Sequence, residues 1–215
     1  MGEIPDEPPA GRPVAVFDFD GTLTDRDGFR LFLRQVATRR QLVGAFLRHA
    51  PSLLAALRGG ARRDRAKERV CGNLLGGRPV EEVEGAARRT ASLLLGSGLR
   101  PDTVARLRRH VAEGHRVIVV SASFEAYVRP VASALGVDEV IATRWEVGPA
   151  GSLTGRLAGP NVRGPMKATL LSERLGGSTV VDVAYGDSRG DVELLEMAST
   201  AIWVGRRPVR PGRRL

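Results

Sequence analysis

Four apolar residues, Val14-Ala15-Val16-Phe17, run without a polar break into Asp18-Phe19-Asp20-Gly21-Thr22. This junction constrains the chain more than any other feature. A short continuous apolar run bounded by turn residues suits a strand buried on both faces, and such strands belong to parallel sheets covered by helices. The acidic segment then lies at the carboxyl end of the strand, where open α/β sheets hold their ligands. A pattern fixing four residues over five positions arises by chance about once in 10⁵ positions at ordinary residue usage. An incidental acidic turn is therefore a poor account of it.

The pattern downstream changes period twice. Residues 27–95 contain no convincing strand and read as helices over 29–39, 41–58 (interrupted at Pro51), 63–75 and 80–95. Gly59-Gly60 and Gly76-Gly77 are the stops between them. Pro101 then opens a helix of about three turns. Strands are predicted over 116–120, 139–142, 180–185 and 201–204, with helices over 124–135, 165–175 and 190–197 between them. Residues 143–157 read as a hairpin turning at Gly148-Pro149-Ala150-Gly151. Strands alternating with helices predict an α/β fold, a Rossmann-like doubly wound parallel sheet, here with a small helical domain inserted. The expected division is a flexible leader over 1–12, a core over 13–25 and 97–206, a helical insertion over 26–96, and a basic tail over 207–215.

Composition narrows the function classes. At 215 residues the chain can bury a real core. Its net charge is +9, and only Lys67 and Lys167 among the basic residues are lysines. The arginines are scattered except over 62–69 and in the tail, and aromatic residues are too few for a base-stacking platform, so no nucleic-acid partner is expected. The single cysteine, Cys71, can form no internal disulfide, which fits a reducing, cytoplasmic setting. No run is long and apolar enough to span a bilayer. His49, His110 and His115 show no clustering with carboxylates in the sequence and read as structural.

Three further segments carry chemistry. Ser121 follows a predicted strand, Lys167 begins a helix, and Gly186-Asp187-Ser188-Arg189-Gly190-Asp191 follows another strand. With Asp18 and Asp20 these groups can meet at one sheet edge. In this order the segments resemble the haloacid dehalogenase superfamily, and within it the phosphoserine phosphatase-like branch, which carries a helical cap between its first two motifs. The stretch 142–147, with Leu153-Thr154-Gly155-Arg156-Leu157 after it, is also similar to that branch.

The resemblance implies a magnesium-dependent hydrolase of a small phosphomonoester. A phosphate monoester is anionic and resists attack by a carboxylate unless a cation bridges the two. Asp18 is the implied nucleophile, forming an aspartyl-phosphate, and Asp20 the general acid and base. Mg²⁺ would be held by Asp18, Asp187 and the backbone carbonyl of Asp20. Ser121, Lys167 and the amides near Gly21 would hold phosphate oxygens, with Thr22 orienting the loop or capping the turn. Asp191 would hold a metal-bound water or position Lys167. Asp27 and Arg69 fall where that branch reads its substrate's amine and carboxylate. Two departures separate the chain from phosphoserine phosphatases proper: Asp27 replaces a glutamate, and Ser121-Ala122-Ser123 replaces a serine followed by glycines. The same motifs would serve a phosphotransferase. From another class, a basic anion- or nucleic-acid-binding protein with an inactive site remains open. A monomer or homodimer is expected.

Overall fold

The computed structural model describes residues 11–50, 61–176 and 180–205, with only the backbone over 61–67. At its centre is β1 (Val14–Phe17), four residues that are all essentially inaccessible. It is flanked by β2 (Arg116–Phe124) and β3 (Glu139–Thr143) on one side, and by β6 (Val181–Gly186) and β7 (Ala198–Trp203) on the other. All neighbours in this five-stranded sheet are parallel. The chain leaves β1 for one side and returns to the other, so the strand order reverses at β1. A crevice opens at such a point beyond the carboxyl ends.

Both faces of β1 are covered, which is why its sequence does not alternate in polarity. Ala15 and Phe17 pack into one hydrophobic cluster, Val14 and Val16 into another. The second cluster is closed by α7 (Pro165–Leu175) and α8 (Val192–Glu196). The first is covered by α5 (Pro101–Ala112), α6 (Glu125–Ala134) and the helical insertion. That insertion comprises α1 (Gly28–Val36), α2 (Arg39–Arg48), α3 (Ala61–Leu75) and α4 (Val80–Ser97). Its apolar residues, among them Phe32, Leu74, Ala87 and Leu94, form one continuous cluster with the sheet face rather than a core of their own.

Several boundaries differ from the sequence expectation. The helix expected over 29–39 ends at Val36, because Thr38 and Gln41 form a reciprocal capping box that starts α2. The second half of the helix expected over 41–58 lies outside the described residues, as do the basic tail and most of the leader. The leader's end is anchored: Arg12 donates to the carbonyls of Gly114 (2.8 Å) and His115 (2.7 Å) and pairs with Asp138. The helix expected over 190–197 is preceded by a 3₁₀ turn, Arg189–Asp191. β2 runs on past Ser121, and its register against β3 slips between Ser121 and Phe124.

The hairpin is β4 (Trp145–Val147) and β5 (Leu153–Leu157). It is tied to the insertion by backbone bonds from Gly77 to Leu153, from Leu153 to Arg78 and from Val80 to Gly151. Gly72 and Gly155 approach so closely that a Cβ on either would press on the other's backbone. The entry and exit of the insertion also bond to one another, Asp25 N–H to Gly98 carbonyl and Arg100 N–H to Leu23 carbonyl. Among the described residues no helix is long and apolar enough to cross a membrane.

Candidate active site

Asp18 follows β1 directly, and its N–H donates to the Tyr185 carbonyl of β6 (2.9 Å). Its side chain is buried and ion-paired with Lys167. Lys167 sits in the first turn of α7, which Pro165 opens after Gly164 turns the chain at φ 58°. The ammonium also donates to Asp191 at 2.6 Å. The other oxygen of Asp191 accepts from Ser188 Oγ (2.8 Å), Ser188 N–H (3.0 Å) and Asp187 N–H (3.3 Å). Asp191 thus orients the lysine with one oxygen and closes the loop after β6 with the other.

Asp187 faces Gly21. At φ 87° Gly21 adopts a conformation that suits glycine, and a Cβ there would overlap the Asp187 carboxylate. Its N–H, expected near a phosphate, instead donates to the Thr24 carbonyl (2.9 Å), because the turn after β1 closes on itself. Thr22 is fully buried, and its hydroxyl has no hydrogen-bond partner among the described residues. Ser121 is buried, and its hydroxyl oxygen accepts from the Ser123 N–H at 3.0 Å. Asp20 holds the Gly28 N–H on one oxygen (2.7 Å) and the Ser123 hydroxyl on the other.

Charge is unbalanced in this cluster. Burial raises the Asp18 carboxyl to about 7, against the pull of Lys167, and Asp191 and Asp187 push the same way. Burial and Asp191 likewise raise Asp187 to about 6. Burial raises Asp20, against its bonds from Ser123 and Gly28. Burial opposes the charge on Lys167, but Asp18 and Asp191 outweigh it and its pKa is raised, so the ammonium persists. Oxygens of Asp18, Asp187 and Asp191 lie within 4.8 Å of one another. Three carboxylates against one ammonium, all hard oxygen donors, suit a small divalent cation such as Mg²⁺. The oxygens of Asp191 already serve Lys167 and Ser188, which leaves Asp18 and Asp187 as the better ligands.

The structure therefore brings Asp18, Asp20, Ser121, Lys167, Asp187 and Asp191 to one sheet edge. Asp27 and Arg69 stand outside this cluster. Asp27 caps α1, accepting from Arg30 N–H (2.9 Å) and pairing with the Arg30 guanidinium (3.3 Å), while Arg69 is exposed on α3. Three residues escaped the sequence reading. Ser123 and Gly28 hold Asp20, and the Arg100 guanidinium donates to the Gly21 carbonyl (3.1 Å). Ser123 had a signal, since strand alternation puts it on the same face as Ser121.

The histidines also depart from expectation. His110 and His115 face each other through their Nδ1 atoms (2.8 Å), and Glu113 lies 3.7 Å from His115. The helix end at Ala112 folds the following residues back, so that positions 110, 113 and 115 converge. The second ring nitrogen of His110 meets the Tyr185 hydroxyl at 3.0 Å.

Residues 15–196 match the sequence profile of the haloacid dehalogenase-like hydrolases. Protein CicA of Caulobacter vibrioides is 38% identical over 92% of this chain and 86% of its own length. The phosphoserine phosphatase of Halobacterium salinarum is 34% identical over 91% of this chain and 87% of its own. Among solved structures, a Bordetella pertussis protein of unknown function superposes with a TM-score of 0.75 at 27% identity, covering 89% of each chain. A substrate-bound phosphoserine phosphatase superposes at 0.64 with 23% identity, covering 88% of this chain and 84% of its own, a likeness of fold.

Proposed function

Because the chain belongs to the haloacid dehalogenase-like hydrolase family, we propose that it is a phosphatase hydrolysing a small phosphomonoester with Asp18 as nucleophile. The observation that carries this reading is the buried cluster in which one lysine, Lys167, bridges Asp18 and Asp191 beside Asp187.

Asp18 attacks phosphorus and the P–O bond to the leaving alcohol breaks. Asp20, in its acid form, gives its proton to the departing oxygen. It then takes a proton from the water that hydrolyses the aspartyl-phosphate, which returns Asp18 and inorganic phosphate. Lys167 offsets charge on the phosphoryl oxygens, and the Ser121 hydroxyl donates to one of them. The Thr22 hydroxyl, without a hydrogen-bond partner among the described residues, is available to order the loop or the phosphate. Asp191 keeps Lys167 directed at the reacting group. Asp18, Asp187 and the Asp20 carbonyl would hold magnesium, which would supply the positive charge that lets a carboxylate approach a phosphate.

Residues 26–96 act as a cap over this edge, with Asp27 and Arg69 as candidates for reading the leaving group. The Asp27 carboxylate is already committed to Arg30, which weakens the case for a phosphoserine-type grip on an amine. Phosphoserine stays one candidate among small phosphomonoesters. With one cysteine and no disulfide to protect, we assign the activity to the cytoplasm, in a monomer or homodimer.

The test is hydrolysis of phosphoserine, phosphocholine, histidinol phosphate, sugar phosphates and an aryl phosphate, with magnesium and with chelator. Magnesium-dependent turnover is expected and is lost in Asp18→Asn. Failure of folded, magnesium-supplied protein on every member would sink the reading.

A further inference from the structure

Asp20 is held by two groups that come from opposite directions. The Gly28 N–H reaches one carboxyl oxygen from the first residue of α1, and the Ser123 hydroxyl reaches the other from β2. Ser123 is buried, and it occupies the stretch where β2 slips its register against β3. A bulge of this kind re-aims side chains near a strand end. Here it leaves Ser121 and Ser123 both inaccessible, with Ala122 partly exposed between them. The Ser123 N–H at the same time donates to the Ser121 oxygen. One residue is thus bonded to the candidate acid through its side chain and to the candidate phosphate-binding hydroxyl through its backbone.

The surroundings leave this arrangement little freedom. A Cβ at Gly28 would stand 2.9 Å from the Asp20 oxygen and 3.1 Å from the Tyr127 ring. The backbone of α1 therefore comes close enough to bond Asp20 only because residue 28 has no side chain. Tyr127 is fully buried, and its hydroxyl lies beside Ser123 without a well-aligned bond of its own. Burial raises that phenol far above its ordinary range, so it stays a neutral wall. Its ring packs on Phe32 of α1 at 5.6 Å, which fixes α1 against α6.

We propose that Ser123 is a positioning residue for leaving-group protonation: its hydroxyl, opposed by the Gly28 N–H, sets the angle at which Asp20 meets the departing oxygen. The inference rests on the phosphatase reading above. A carboxyl on two rotatable bonds sweeps a wide arc, and proton transfer requires hydrogen-bond contact with the accepting atom. Misplacing a reacting group by about 1 Å costs on the order of 10²-fold in rate.

The experiment compares Ser123→Ala with wild type on two substrates, the best alkyl phosphate from the panel and p-nitrophenyl phosphate. An alkoxide needs its proton as the bond breaks, whereas nitrophenolate leaves without it. We expect kcat/KM on the alkyl ester to fall about 10- to 100-fold and on the aryl ester by less than about threefold. Alanine keeps the amide that bonds Ser121, so inhibition by inorganic phosphate should move by less than about twofold. Ser123→Ala should add little to the alkyl-ester defect of Asp20→Asn, since both act through one group. Gly28→Ala, which presses on Asp20 from the other side, should give the same leaving-group signature if Ser123→Ala does not fold. Equal losses on both esters, or losses that add to those of Asp20→Asn, would overturn the proposal while leaving the phosphatase reading intact. A wild type without turnover on any ester overturns both.

Discussion

Two polar clusters hang from the same pair of strands. Beyond the ends of β1 and β6 lie the buried Asp18, Asp191 and Lys167 with the half-buried Asp187, charged and unequal in sign. Against one face of those strands lie Tyr185, His110 and His115, with Phe17 stacked on the Tyr185 ring at 4.3 Å. The second cluster is built for neutrality. Burial and the neighbouring His115 lower the His110 pKa, and burial raises the Tyr185 phenol. Every polar atom there finds a neighbour without burying a net charge. In the first cluster burial pushes carboxylates toward protonation, an arrangement that costs folding energy. The histidine–tyrosine group closes its hydrogen bonds with neutral side chains, whereas the aspartate–lysine group holds carboxylates against the cost of burying them.

This contrast can be broken by mutation. The largest expected effect is Asp18→Asn: turnover on the best ester falls on the order of 10³-fold or more, while the midpoint of urea unfolding holds or rises because a buried charge is gone. A large loss of stability would show that Asp18 belongs with the structural cluster after all. Lys167→Met comes next. It should cost on the order of 10²- to 10³-fold in kcat and also about 3–5 kcal/mol in urea unfolding, since Asp18 and Asp191 are left uncompensated in a dry site.

The third expectation concerns pH. Asp18 and Asp187 titrate at about 7 and about 6 in the fold, above the ordinary 3.8. The folded chain therefore holds extra protons between about pH 4 and 7. Without metal, the stability these groups contribute falls as pH rises through that window. Magnesium needs the same carboxylates deprotonated. Thermal unfolding should show a magnesium-induced rise of several degrees at pH 8 that shrinks toward zero near pH 5, and a shift independent of pH would refute it. The smallest effect is Tyr185→Phe, which keeps the ring stack and removes the hydroxyl. It should cost about 0.5–1.5 kcal/mol with kcat unchanged within about twofold.

The strands and the first motif were legible because each is local: an apolar run, then carboxylates and a glycine. Lys167 and Asp187 were legible because strand ends and helix starts in this architecture share one edge. The partners of Asp20 were not. Gly28 is 8 residues away and Ser123 is 103, and only the packing of α1 against the end of β2 brings them together. Local chemistry hid other points. Thr38 and Gln41 cut a helix that apolar period alone would continue. Glu113 joins His110 and His115 only after the chain folds back beyond α5. Arg12 looked like part of a loose leader because its three acceptors belong to residues more than 100 positions away.

The insertion enters and leaves at adjacent points, with Thr24 bridged to Leu99 and Asp25 bonded to Gly98. An arrangement of that kind behaves as a cassette. Cutting the chain at the two joins and closing the gap with a short turn would preserve the order of the five parallel strands. The hairpin limits how cleanly the cassette can be exchanged, because β5 borrows backbone partners from the segment between α3 and α4. Leu153 is buried, and Trp145 and Leu157 pack against the same apolar cluster. A graft that changes the helices must therefore bring its own hairpin, so that the unit of inheritance comprises two stretches of sequence separated by more than forty residues.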